Sequence, residues 1–228
     1  MHCNKDNCKN IKVIAIDGPA GAGKSTVAKR LADLLGFSYL DTGAMYRAIT
    51  LKALRLGVNL ENEEDLAKLA NNTKIDLEGG GQSSKVFLDR EDVTQEIRTL
   101  EVTNNTFYIA RVPKVREVMV SLQKDIGNTK SVVVEGRDVT TVVFPNAFKK
   151  FYLDGNVDER AKRRLKELQA KQNQVDPVKL LEEVKDRDNK DLTREVGALK
   201  KAEDAIVIDS TDLSIEEVVN KMLGYINQ

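Results

Sequence analysis

Short apolar runs alternate along this chain with stretches in which apolar positions recur every three or four residues. The run from Ile11 to Asp17 is rich in β-branched residues and reads as a buried strand. Val27, Leu31, Leu34 and Leu35 follow at helical spacing, and Gly36 stands where a C-cap glycine belongs. Carried through the chain, the pattern predicts strands over residues 12–17, 37–40, 131–135, 149–153 and 205–209. Besides the helix after the first strand, it predicts helices over 44–56, 114–126, 157–171, 178–187 and 215–226. Asp176-Pro177 has the form of an N-cap with proline at N1, and Ser214 with Glu217 has the form of a capping box. Strands and helices in alternation imply an α/β fold around a parallel sheet.

The rhythm breaks between residues 58 and 105. Residues 61–72 read as a short acidic helix, and 74–77 and 85–89 as two strands joined by a glycine-rich hairpin turn, Glu78-Gly79-Gly80-Gly81-Gln82-Ser83-Ser84. The segment is expected to be a small α+β insert between layers of the main sheet. The 228 residues suffice for one sizeable core carrying such an insert. Residues 11–228 are therefore read as one domain, preceded by a disordered tail at 1–10.

Composition narrows the function classes. Lys+Arg 36 balances Asp+Glu 36, so net charge gives no argument for nucleic acid or an acidic membrane surface. No apolar stretch approaches a membrane span or a signal-peptide core, which predicts a cytoplasmic protein. The single histidine, His2, and both cysteines, Cys3 and Cys8, lie in the first ten residues. Histidine-based catalysis and a disulfide scaffold are thereby excluded from the folded body. A tail with reduced thiols is the expected reading of those three residues, ahead of a stray metal site.

The chemistry is announced by Gly18-Pro19-Ala20-Gly21-Ala22-Gly23-Lys24-Ser25, which matches G-x-x-x-x-G-K-[ST] at every fixed position. It lies between a predicted strand and a predicted helix, the context that such a phosphate-binding loop requires. Its glycines let the backbone wrap a phosphate with N–H groups pointing inward, and the helix N-terminus adds a favourable dipole. Lys24 can reach the β- and γ-phosphates, and Ser25 can offer its hydroxyl to Mg²⁺. A GTPase switch would need an N-K-x-D motif. Asn189-Lys190-Asp191 places its aspartate one residue early within a predicted helix, and the D-x-x-G match Asp76-Leu77-Glu78-Gly79 lies beside the hairpin.

Arginines are the second signal. Arg47, Arg137, Arg187 and Arg194 fall at or near predicted element ends, and Arg160, Arg163 and Arg164 cluster on one helix. Several sit at strand ends, where an open parallel sheet has its ligand crevice. Arginine makes planar bidentate contacts to phosphate, so a P-loop with many separate arginines suggests two phosphorylated ligands held together.

At this point the chain resembles a known family. Residues 14–25, the run Leu40-Asp41-Thr42-Gly43-Ala44-Met45-Tyr46-Arg47, and Glu135-Gly136-Arg137-Asp138 followed by Val142-Val143-Phe144-Pro145 are similar to bacterial cytidylate kinases. The likeness extends through residues 158–164 and 205–211 and covers residues 11 to about 226. It implies a P-loop NTPase-type three-layer fold with a five-stranded parallel sheet, a monophosphate-binding insert at about 58–105 and an arginine-bearing lid at about 157–175. It implies transfer of the γ-phosphoryl group of MgATP to CMP or dCMP by a monomer.

By the same resemblance Gly18, Pro19, Ala20, Gly21, Ala22, Gly23, Lys24, Ser25 and Thr26 would hold ATP, with Ser25 on Mg²⁺. Arg160, Arg163 and Arg164 would close over the nucleotide. Arg47, Arg137 and Arg194 would hold the CMP phosphate, and Arg187 and Asp191 the sugar hydroxyls. Arg116 and Asp138 would read cytosine in a pocket lined by Thr42 and Tyr46. Lys24, Arg137, Arg163 and Arg194 would carry the charge of the transferring group. The chain departs from the family at Phe107, where many members have serine near the base. A same-fold kinase for UMP, AMP, a sugar acid or shikimate, or a nucleotide-binding module without turnover, is the alternative.

Overall fold

The first strand, β1 (Val13–Asp17), is buried along nearly its whole length, as a strand covered on both faces must be. It runs into α1 (Lys24–Leu35), and then come β2 (Ser38–Asp41), α2 (Thr42–Arg55) and α3 (Glu63–Asn71). A three-stranded antiparallel sheet follows, made of β3 (Ile75–Glu78), β4 (Lys85–Leu88) and β5 (Glu91–Asp92). After it come α4 (Leu100–Ala110), α5 (Pro113–Thr129), β6 (Val132–Gly136), β7 (Lys149–Asp154), α6 (Val157–Ala170), α7 (Pro177–Thr193), β8 (Ile206–Asp209) and α8 (Ile215–Ile226). The computed structural model describes residues 11–170 and 175–228. The expected tail at 1–10, with His2, Cys3 and Cys8, and the end of the expected lid lie outside the described residues. Among the described residues no helix is long and apolar enough to cross a membrane.

The main sheet has the order β2-β6-β1-β7-β8 and is parallel throughout. Alternation along its strands feeds two apolar layers. Ala15, Val132 and Val134 face Ile49, Leu66 and Met119 from α2, α3 and α5. Ile14, Ile16, Val133 and Phe151 face Val27, Leu31, Val219 and Met222 from α1 and α8. This is the doubly covered parallel sheet that the alternation predicts, and truncating a fully buried residue such as Phe151 to alanine costs about 3–5 kcal/mol.

The insert has its own small core. Ala44, Ala48 and Leu51 of α2 pack on Val86, Leu88, Val93, Ile97 and Val102. Two of its parts were not legible in the pattern. The third strand, β5, is two residues long, and α4 is an eleven-residue helix capped by Thr99. The predicted boundary at 105 falls in the middle of α4, which packs against α2. Helix α7 also runs six residues beyond its predicted end at 187, so Arg187, Asp188 and Asp191 all lie on it. The D-x-x-G run lies in β3 of the small sheet, away from the P-loop strand.

Candidate active site

Strands β1, β2, β6 and β7 end side by side, so the residues just past them form one crevice at the carboxyl edge of the sheet. The P-loop leaves β1 at Gly18, whose φ is +152°. A Cβ there would lie 2.0 Å from the Leu153 carbonyl oxygen, so only glycine lets the loop turn this close to β7. Gly21 and Gly23 also have positive φ, and Gly23 is the N-cap of α1. Ser210, buried just past β8, props the loop with its hydroxyl, whose one proton lies within reach of the carbonyls of Asp154 (2.7 Å) and Ala22 (3.1 Å).

Lys24 is the first residue of α1, and its Nζ donates to the Pro19 carbonyl at 2.7 Å, back across its own loop. Burial and the Arg137 guanidinium push its ammonium down to about 7. Ser25 Oγ donates to Glu135 Oε1 at 2.6 Å, and Tyr39 Oη donates to the same oxygen at 3.0 Å. Glu135, buried near the end of β6, is thus a neighbour of the P-loop hydroxyl. It was quoted in the sequence only as part of a run. A carboxylate closing the strand next to a P-loop strand was the signal that could have singled it out.

Arg137 and Asp138 follow β6 directly, and residues 139–143 then form one wide π-helical turn. The two side chains part company. Arg137 Nε donates to Asp191 Oδ2 at 2.7 Å, across to α7. Burial works against its charge, yet Asp191, Glu135 and Asp188 hold the guanidinium above its ordinary value. Asp138 is buried against Arg116 of α5 in a close ion pair. Burial raises the Asp138 carboxyl in spite of Arg116 and Arg194. Asp138 does not orient Arg137 here, because each has a different partner.

The remaining predicted residues gather around these two pairs. Arg47 Nη2 donates to Asp41 Oδ2 at 2.8 Å, while Asp41 also caps α2 through Ala44 N. Arg47 Nε is buried with no partner among the described residues. Thr42 Oγ1 donates to the Glu135 carbonyl at 2.8 Å, and the Tyr46 ring lies 5.6 Å beneath the Arg116 guanidinium. Burial pushes the Tyr46 phenol up to about 12. Arg194, the C-cap of α7, donates from Nε to the Gly197 carbonyl at 2.7 Å. Gly197, which sequence reasoning missed, has φ +64°, and a Cβ on it would strike Arg116 Nη2 and Asp138 Oδ2. Its backbone closes directly over that pair.

Arg187 stands apart. It has no hydrogen-bond or ion-pair partner among the described residues. Burial and the neighbouring Arg137, Arg47 and Arg164 push it down to about 10 against the pull of Asp191. It is an arginine in the field of three others, with Asp191 as the acidic group that offsets them.

The three arginines of α6 divide. Arg160 is buried, donates to the carbonyls of Ala20 (2.9 Å) and Gly155 (2.8 Å), and pairs with Asp188 of α7 at 2.7 Å. It ties α6 and α7 to the P-loop. Arg163 donates to Ser210 Oγ and to the carbonyls of Ser210 and Thr211, so it anchors the loop after β8. Arg164 pairs with Glu167 at 3.0 Å, and its charge is among those that act on Arg187. Phe107 meets Tyr108 edge-on at 6.0 Å and lies under the ammonium of Lys190 of α7.

Comparison with known proteins identifies the family. The family model described as cytidylate kinase matches residues 14–228. The cytidylate kinase of Caldanaerobacter subterraneus subsp. tengcongensis is 51% identical over 92% of this chain and 92% of its own. That of Bacillus pumilus is 52% identical over 92% of this chain and 93% of its own. A solved structure of an uncharacterized protein from Eubacterium ventriosum aligns with a TM-score of 0.51 at 15% identity, over 95% of this chain and 99% of that one, a likeness of fold. With a P-loop, a five-stranded parallel sheet and full-length relatives at about half identity, this chain belongs to the cytidylate kinase family.

Proposed function

We propose that the protein transfers the γ-phosphoryl group of ATP to the phosphate of CMP or dCMP, giving CDP or dCDP. The observation that carries the reading is the layout of charge. Lys24 of the P-loop, Arg137, Arg187 and Arg47 lie within electrostatic reach of one another in sequence, and the buried Arg116–Asp138 pair closes the far end. A donor phosphate cradle is thus followed by a phosphate clamp and then by a polar pair suited to a base.

The acceptor is a phosphate oxygen, already largely anionic at neutral pH because its second pKa is about 6. No strong general base is needed, and a folded body without histidine is adequate to the reaction. The work is positioning and charge neutralisation. The P-loop backbone and Lys24 hold the transferring group. Arg47, Arg137, Arg187 and Arg194 hold the acceptor phosphate and sugar, and their charge offsets the repulsion between two anions. Arg187 and Arg47 Nε gain in the complex the partner they lack without it. Cytosine offers an exocyclic amino donor that the Asp138 carboxylate can accept, whereas uracil offers a carbonyl that it repels. Arg164 is the α6 arginine best placed to join the phosphates, while Arg160 and Arg163 brace the loops around them.

The donor set also fits Mg²⁺. Ser25 Oγ and the Glu135 carboxylate are hard oxygen ligands already side by side, and Mg²⁺ takes one or two protein ligands beside phosphate oxygens. When bound, the ion would neutralise charge on the β- and γ-phosphates. A coupled ADP-release assay with MgATP and a panel of acceptors tests the whole reading. CMP- and dCMP-dependent turnover is expected. Slow hydrolysis indifferent to every monophosphate would contradict it.

A further inference from the structure

We infer that Asp17 is a positioning residue that sets the acceptor clamp against the donor cradle. Asp17 is the last residue of β1 and is fully buried. Its backbone leads straight into Gly18 and so begins the P-loop. Its side chain points the other way, to the segment that follows Arg137 and Asp138. Oδ1 accepts from Val139 N at 2.9 Å, and Oδ2 accepts from Thr140 N at 2.7 Å and from Thr140 Oγ1 at 2.7 Å. One residue therefore holds both halves of the site, the donor loop through the main chain and the acceptor turn through a carboxylate.

The local backbone shows why a strut is needed. Asp138 is not helical, with φ −140° and ψ 23°, and residues 139–143 make a wide π turn rather than an α-helix. The amides of Val139 and Thr140 open that turn, where helical hydrogen bonds do not reach. The buried carboxylate satisfies both, and Thr140 Oγ1 adds a third donor. No basic side chain is within ion-pair distance of Asp17 among the described residues. Burial raises its carboxyl, while the three donors oppose that rise. A charge held this way fixes the direction of its donors. Those donors belong to the turn that aims Arg137 at Asp191 and Asp138 at Arg116.

The inference rests on the proposed assignment of Arg137 and Asp138 to the acceptor, and its test separates the two. In Asp17→Asn the side-chain amide sets a donor against the Thr140 amide. In Thr140→Val both backbone donors stay and only the hydroxyl is lost, and Thr140→Ser keeps all three. Calorimetry on each full-length variant gives the dissociation constants for a non-hydrolysable ATP analogue and for CMP separately, and turnover assays give kcat. Asp17→Asn is expected to weaken CMP by about ten-fold or more and to lower kcat, with the ATP analogue within about two-fold of wild type. Thr140→Val is expected to weaken CMP by a few-fold, with Thr140→Ser restored to wild type. If Asp17→Asn does not fold, the Thr140 pair carries the test. A parallel loss of both ligands, or a lowered melting temperature with CMP affinity unchanged, would overturn the inference. Failure of the wild-type protein to bind CMP would instead count against the acceptor assignment itself.

Discussion

The donor and acceptor halves of the proposed site are built on opposite plans. The proposed donor cradle is eight consecutive residues that would bind through their backbone, and its first glycine is fixed by steric necessity, Gly18 against Leu153. The proposed acceptor clamp is assembled from side chains on α2, α5, α7 and the turn after β6, most of them aimed by a partner: Asp41 for Arg47, Asp138 for Arg116, Asp191 for Arg137, with Arg187 left unpaired among the described residues. A backbone cradle tolerates many neighbours and reads only phosphate. A side-chain clamp needs every supporting element in place, and in return it can read a base and a sugar.

The largest effect that separates the two halves is expected from the donor side. Lys24→Ala removes a charge aimed at the transferring phosphate, and such a loss is worth on the order of 3 kcal/mol, about a hundred-fold or more in kcat. Its melting temperature should change little, because burial and Arg137 disfavour the Lys24 ammonium in the free protein. A turnover assay and a thermal melt on the same variant decide this, and near-normal turnover would break the donor assignment.

Next in size is Arg187→Ala. It should raise the KM for CMP by about ten-fold while the KM for ATP stays nearly constant. Since Arg187 has no partner among the described residues and is crowded by Arg137, Arg47 and Arg164, the variant should melt no lower than wild type. Asp191→Ala should raise the same KM but also lower the melting temperature, because it strands the Arg137 guanidinium. Equal weakening of ATP and CMP in both variants would assign α7 to the donor side or to the fold.

The smallest effect concerns protons. A lysine pushed down to about 7 is largely neutral at pH 8 in the free protein. A bound triphosphate favours its ammonium form and raises that value, so ATP binding at pH 8 takes up a fraction of a proton. ATP affinity should accordingly decline as pH rises above about 7. Calorimetry at pH 8 in buffers of different ionisation enthalpy measures the uptake, and Lys24→Met should abolish it. The same uptake in that variant would place the titrating group elsewhere.

The same contrast explains what the sequence disclosed. The donor half was legible because its residues are adjacent and its motif is tied to a strand before and a helix after. The central parallel strands were legible because burial on both faces leaves apolar runs such as Val132-Val133-Val134. The acceptor residues were expected from resemblance, but their pairing was not, since no local pattern says that Arg137 meets Asp191 rather than Asp138. Glu135, Asp17 and Gly197 act through contacts more than fifty residues away in sequence. The α6 arginines looked equivalent by spacing, and only packing shows Arg160 and Arg163 turned toward loop carbonyls. Helix α4 was overlooked because Phe107 and Tyr108 on it are partly exposed and blur its apolar face.

The central claim is that the acceptor half reads cytosine through the buried Asp138 carboxylate. A site built to accept from a substrate amino group rejects the analogue that lacks it. Asp138→Asn keeps the volume beside Arg116 and replaces one acceptor oxygen with a donor, which a uracil carbonyl can use. The direct measurement is kcat/KM for CMP and for UMP in the wild type and in Asp138→Asn. The account predicts a wild type that strongly prefers CMP and a variant whose CMP/UMP ratio falls by about ten-fold or more. Equal loss on both substrates with the ratio unchanged would show that Asp138 only holds Arg116 in place, and that the base is read elsewhere.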